Sequence, residues 1–151
     1  MKSKNSLNPA LVVERALAIV DAEGLDALTV RKVADEFGVT PMALYWHFSN
    51  KDALLEAVGD AVVAELRVPD GSLALESYLR EAMTSLVDAM RAHPNATPLV
   101  PGRILVTEAG RELTEQTLDK LSLAAFDVDK AAAVAHYALM IAMTLVTGEP
   151  G

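Results

Sequence analysis

Residues 29–51, TVRKVADEFGVTPMALYWHFSNK, hold the chain to one local architecture: two short helices set at an angle. Val30, Val33, Ala34 and Phe37 recur at helical spacing and give one apolar face, and Thr29 stands before them as an N-cap. Gly38 follows, where a helix must stop and the chain must bend sharply, which calls for a residue that accepts positive φ. Thr40 then caps a second helix whose first position is Pro41, where a missing N–H costs nothing. Ala34 is small enough for close helix approach, and Leu44 falls where one apolar side chain must seal the angle beneath. This is the spacing of a helix-turn-helix. Any two amphipathic helices around a Gly-Val turn share part of the pattern, so the second helix has to narrow the reading.

It does. Residues 41–48 begin with small and apolar side chains, Pro41, Met42 and Ala43, where base edges would be met. Tyr45 and His47 follow as phosphate partners, and Lys51 stands just beyond. The run ALYWHF-x-NK closely resembles the tetracycline-repressor (TetR) family of transcriptional regulators, strongly over about residues 11–66 and more weakly to the end of the chain. The resemblance implies that Arg31, which faces away from the Val30/Val33/Phe37 stripe, reaches a guanine, the strongest direct readout at about 1–3 kcal/mol. It places Pro41, Met42 and Ala43 at base edges, where they offer apolar contact to thymine methyls and no side-chain hydrogen bonds. Few polar base contacts leave part of the specificity to DNA shape. Thr40, Tyr45, His47 and Lys51 would hold phosphates, and Thr29 and Lys32 complete the expected DNA-binding set. Trp46 and Phe48 are expected in the core.

The 151 residues suit one domain, or a small domain fused to a larger one, and 52% hydrophobic content argues a substantial core. Few aromatics and abundant Ala, Leu and Val suit helices packed on helices. With no cysteine there are no disulfides or thiolate metal sites, and a reducing cytoplasm is the expected home. The polar opening MKSKNSLNPA lacks the apolar run of a signal peptide. A net charge of −8 looks wrong for a nucleic-acid binder until it is divided: residues 1–51 hold six Lys/Arg, Lys2 and Lys4 included, against six acids, so the entire excess lies beyond them.

The expected fold is all-α: an N-terminal three-helix DNA-binding domain over 1–51, a connector helix over 52–67, and a helical-bundle ligand-binding and dimerisation domain over 68–151. Asn8-Pro9 opens the first helix and Gly24 ends it; Ser49-Asn50 caps the connector, with Asp52 in its first turn. A long helix spans 72–92, three prolines and a glycine break 93–103, a further helix spans 108–125, and Asp127 or Asp129 caps the last one. From 131 to 146 only His136, Tyr137 and Thr144 are polar in any sense. That run is taken as short of the roughly 18–20 apolar residues of a membrane span. A helix apolar on all sides is expected to be buried from several directions, by the core and a subunit interface, with no membrane involved.

His47, His93 and His136 fall in different elements without the spacing of a zinc site, so neither metal nor cofactor is expected. Nucleophile and phosphate-loop motifs are absent, and no enzyme is expected. His136, Tyr137, Met140 and Thr144 on the last helix, with Met83, Met90, Arg103 and Thr107, form a candidate pocket for a small apolar or amphipathic effector. The family resemblance implies a palindromic double-stranded DNA operator, a homodimer, and release by that effector. It does not carry tetracycline over, because Pro101 and Arg67 stand where drug-binding members place histidines. Family members usually continue for two or more helices, so the body is expected to be incomplete at its C-terminus or to dimerise through its last helix. The alternative is a truncated interaction protein that pairs with a partner without holding an operator productively.

Overall fold

The computed structural model describes residues 7–148, so Lys2, Lys4 and the segment 149–151 lie outside the described residues. The described chain is helical without a strand: α1 (Pro9–Glu23), α2 (Val30–Glu36), α3 (Pro41–Tyr45), α4 (Lys51–Ala64), α5 (Leu75–Ala92), α6 (Val100–Arg103), α7 (Glu108–Leu123) and α8 (Val128–Thr147). Short 3-10 turns occupy Leu25–Ala27 and Pro94–Leu99. The capping side chains set these limits. Asn8 Oδ1 accepts from Ala10 N–H at 2.9 Å, Asn50 Oδ1 from Ala53 N–H at 2.8 Å, and Asp127 Oδ1 from Lys130 N–H at 2.9 Å. Gly24 closes α1 at φ 87°, a conformation that a side chain would strain.

One core runs the length of the chain. Val12, Ala16 and Val20 of α1 meet Leu28, Val33, Leu44, Leu54 and Val58, and the same cluster continues through Val62 and Val63 to Tyr78, Leu86, Met90 and Leu113. The expected connector is the shared element: α4 packs against α1, α6, α7 and the Pro94–Leu99 turn. Gly59 marks a close approach, since a Cβ there would lie 2.8 Å from Arg103 Cγ and 3.0 Å from Leu99 Cβ. Beside it Arg103 donates through Nε to Asp60 Oδ1 at 2.6 Å and through Nη2 to Asp60 Oδ2 at 3.1 Å, a bidentate tie from α6 to α4.

The turn from α6 into α7 is tighter still. A Cβ at Gly110 would lie 2.0 Å from the Ile104 carbonyl oxygen, and backbone does not yield as a side-chain tip does. Gly110→Ala is therefore expected to destabilise by about 1–3 kcal/mol through overpacking. Chemical denaturation checks this, and an unchanged midpoint sinks it.

The last helix departs from expectation. Of its residues Ala131, Ala142 and Val146 are buried against α5 and α7, while Tyr137, Ile141 and Leu145, spaced by four, stand exposed in a row. An all-round apolar helix was expected to be covered on all sides; one chain covers it on one. At 20 residues α8 is also long and apolar enough to cross a membrane by length and composition, which corrects the shorter count from sequence. Its packing on α5 and α7 makes it an element of the helical body.

Candidate nucleic-acid interface

α2 begins on Thr29, whose Oγ1 accepts from Lys32 N–H at 3.0 Å, and buries Val30, Val33 and Ala34. It ends in a Schellman motif. Val39 N–H reaches back to Ala34 O and Gly38 N–H to Asp35 O, both at 3.1 Å, with Gly38 at φ 63°. The turn delivers the chain into α3 with Thr40 as the N-cap residue. Contrary to expectation the Thr40 hydroxyl makes no capping bond; the backbone alone starts the helix, Ala43 N–H donating to Thr40 O at 3.0 Å.

α3 has only five residues, and two side chains anchor it. Leu44 and Phe48, four apart, are buried in the angle beneath α2. Trp46 was expected beside them and is instead 84% exposed. At 100° per residue it points about 200° from Leu44, out of the core. With Met42 at 65% exposure and Tyr45 at 46%, it forms an outward apolar and aromatic surface. Thr40 and His47 are exposed alongside, and Pro41, Ala43 and Lys51 are half-buried at its margins. Arg31 is exposed on α2, as expected. Lys32 is less available: its ammonium pairs with Glu23 at 2.5 Å. Arg15 pairs loosely with Glu36 at 3.6 Å on the outer face. Thr29, Arg31, Thr40, Met42, Tyr45 and His47 are thus exposed, and Trp46 is the residue of this face that the sequence reading put elsewhere.

A short helix that turns large side chains to solvent, braced from beneath, can enter a groove and meet base edges and phosphates. The comparisons agree with that geometry. Residues 12–58 match the bacterial regulatory proteins of the tetR family. BioQ, solved with its natural double-stranded DNA operator, shares the fold at a TM-score of 0.78 and 33% identity, over 91% of this chain and 86% of that one. The chain belongs to the tetR family. The TetR-family protein ActR of Streptomyces coelicolor, solved in complex with actinorhodin, matches at a TM-score of 0.80 and 29% identity, over 93% of this chain and 68% of that one. The class A tetracycline repressor of Escherichia coli is 38% identical over 105 residues, which are 63% of this chain and 49% of that protein. This tetR-family chain therefore spans about half the length of that relative.

The expected effector residues are not gathered at the open groove of the body. An open groove of about 660 Å³ lies between α4 and the start of α7, lined by Asp60, Ala64, Leu66, Val106, Thr107 and Glu112 among others, and Thr107 alone of the expected set reaches it. Met90 is core and Met83 and Met140 are half-buried. Arg103 is occupied by Asp60. His136 and Tyr137 stand exposed with their rings edge to face at 5.8 Å, and Thr144 turns its hydroxyl onto Met140 O at 2.9 Å. Helical spacing put these four on one helix; it did not tell which side of that helix the body would cover.

Two polar atoms escaped the sequence reading. Gln116 Oε1 on α7 is buried without a hydrogen-bond partner, which is uncommon enough in a folded protein to mark a place, and the Tyr78 hydroxyl of α5 is buried with Thr117 beside it. The Lys120 ammonium lies 5.1 Å from the centre of the Tyr78 ring and donates to Leu73 O. Burial pushes the Tyr78 phenol above its ordinary pKa, so it enters this seam as a neutral hydroxyl. No local motif distinguishes such a tyrosine.

Proposed function

We propose that this chain is a transcriptional repressor whose α3 enters the DNA major groove, and that it binds a palindromic operator as a homodimer. The observation that carries the reading is the outward row Met42, Tyr45 and Trp46 on a helix braced by Leu44 and Phe48, in a fold shared with a protein solved on its operator. In this reading Pro41, Met42 and Ala43 meet thymine methyls, and Thr40, Tyr45, His47 and Lys51 meet phosphates, with the indole N–H of Trp46 as a further donor. Arg31 pairs with a guanine. Thr29 supports α2 through its capping bond, and Lys32 reaches DNA only by giving up Glu23. The row Tyr137, Ile141 and Leu145 of α8 forms the dimer interface, setting half-sites about 34–36 Å apart. A small apolar or amphipathic effector enters the body, where its polar atoms meet Tyr78 and Gln116, and favours a spacing of the two heads, each formed by α1 to α3, that no longer fits the operator. The cytoplasm is where such a protein meets DNA.

A gel-shift salt titration on DNA from upstream of the protein's own gene tests this. The expected result is a sequence-selective complex of two chains per site whose log affinity falls linearly with log salt, by about 0.9 per phosphate contacted. Arg31→Ala is expected to cost about 1–3 kcal/mol and to relax preference at one base pair. Unchanged affinity and unchanged base preference dispose of the role given to Arg31. The exposed α8 row also favours a second reading, in which the chain pairs with a different protein and holds no operator. A folded, monomeric chain without a selective DNA complex points to it.

A further inference from the structure

Three helices end at one imidazole. His93 is the C-cap residue of α5, Glu65 the C-cap residue of α4, and Asp21 lies in the last turn of α1. His93 Nδ1 is 2.8 Å from Asp21 Oδ2, and His93 Nε2 is 2.9 Å from Glu65 Oε1. With both ring nitrogens facing carboxylate oxygens, which can only accept, the arrangement is complete when both carry protons. Asn95 secures the same corner, its amide donating to Val20 O at 3.1 Å and Asp21 O at 3.0 Å.

The electrostatics there are one-sided. The C-terminal ends of α1, α4 and α5 each present the negative end of a helix dipole, and Asp21 and Glu65 add two carboxylates. The imidazolium is the cation that all five share. Asp21 Oδ1 is buried without a hydrogen-bond partner, so the salt bridge through Oδ2 is what offsets its charge. The neighbouring helix ends also carry the Arg67–Asp88 pair at 2.7 Å, and Arg91 lies on α5 two residues before His93.

We propose that protonated His93 is a positioning residue, the joint that fixes α1 of the head to α4 and to the C-terminal end of α5 in the body. That this joint sets operator affinity rests on the function proposed above; the joint itself does not. Its pH dependence follows from the sign. Burial opposes the charge of His93, the two carboxylates together outweigh it, and the pKa stands above the ordinary 6.5. The joint is therefore fully closed below the unfolded-state value and is lost as pH rises through the folded value. Loss of the proton leaves the neutral ring a single N–H for two carboxylates, and three helix ends without their cation, so one of the two ties is lost and the corner loosens to what Asn95 and the remaining bond hold.

Because the chain has no cysteine, spin labels can be placed at will. Labels at the exposed Ala18 of α1 and Glu81 of α5 report the head-to-body distance without DNA, so failure of operator binding leaves the test intact. The wild-type chain is expected to give a narrow distance distribution at pH 6 that broadens through the titration of His93, followed in parallel by its imidazole proton resonance. His93→Gln is expected to be broad and independent of pH. Glu65→Gln, at a half-exposed position that tolerates change, keeps the fold and moves both transitions to lower pH. If His93 titrates at or below the ordinary value, or if the distances in wild type and Glu65→Gln are narrow and alike across pH 6–9, the joint does not exist. On a confirmed operator, closing the joint is expected to tighten binding by about tenfold, the usual size of coupling between sites.

Discussion

Leu44→Ala is expected to lower the unfolding free energy by about 3–5 kcal/mol and to abolish selective DNA binding at protein concentrations that saturate the wild type. Leu44 is 1% exposed, and it is the side chain on which the angle between α2 and α3 closes. Its carbonyl also accepts from His47 N–H and Phe48 N–H, both at 2.9 Å, so the backbone that ends α3 is laid over the same residue. Removing three methylene-sized groups leaves a cavity beneath α3, which has five residues and no second full turn with which to compensate. Urea denaturation of the full chain measures the loss. A cost below about 1 kcal/mol means that the α2–α3 angle is held by something other than this contact.

Ile141→Asp is expected to act elsewhere and leave the fold intact. Ile141 is 53% exposed at the centre of the Tyr137–Ile141–Leu145 row, so a carboxylate there costs a single chain little, within about 0.5 kcal/mol. In a dimer sealed by that row the carboxylate is buried opposite its own symmetry mate, and self-association is expected to weaken more than about 100-fold. Sedimentation equilibrium reads the dissociation constant directly. A variant as dimeric as wild type moves the interface off α8. A wild type that is monomeric at micromolar concentration removes the homodimer from the proposed function.

What was legible in the sequence was local. Thr29, Asn50 and Asp127 cap helices because a short oxygen-bearing side chain reaches amides two or three residues on, whatever the fold does. Gly24 and Gly38 take positive φ for reasons confined to their own backbones. The ALYWHF-x-NK run placed the family because it is a contiguous word. Trp46 was misplaced because a five-residue helix offers no second period against which to judge a face, and an indole beside Leu44 reads as core by composition alone. The α8 row was misjudged for a related reason: apolarity says that a surface is to be covered, not that the same chain covers it. The expected effector residues were chosen by side-chain type across several elements, a criterion that carries no distances; of them Thr107 lines the open groove. His93, Asp21 and Glu65 show the same limit from the other side, since 72 and 28 residues of sequence separate partners that are in hydrogen-bond contact.

The close approach at Gly59 gives α4 the mechanics of a lever. Its head end at Lys51 is eight residues from that contact, about 12 Å at 1.5 Å per residue. A rotation of about 10° around the contact therefore carries the head end through about 2 Å, and in the proposed homodimer two-fold symmetry would double the change in separation between the paired α3 helices. Hydrogen bonds to phosphate fail over a fraction of that distance. With the Arg103–Asp60 tie set beside the pivot rather than at the tip, a displacement of about an ångström or two at the α6–α7 side would be geometrically enough to put both heads of the proposed dimer out of register.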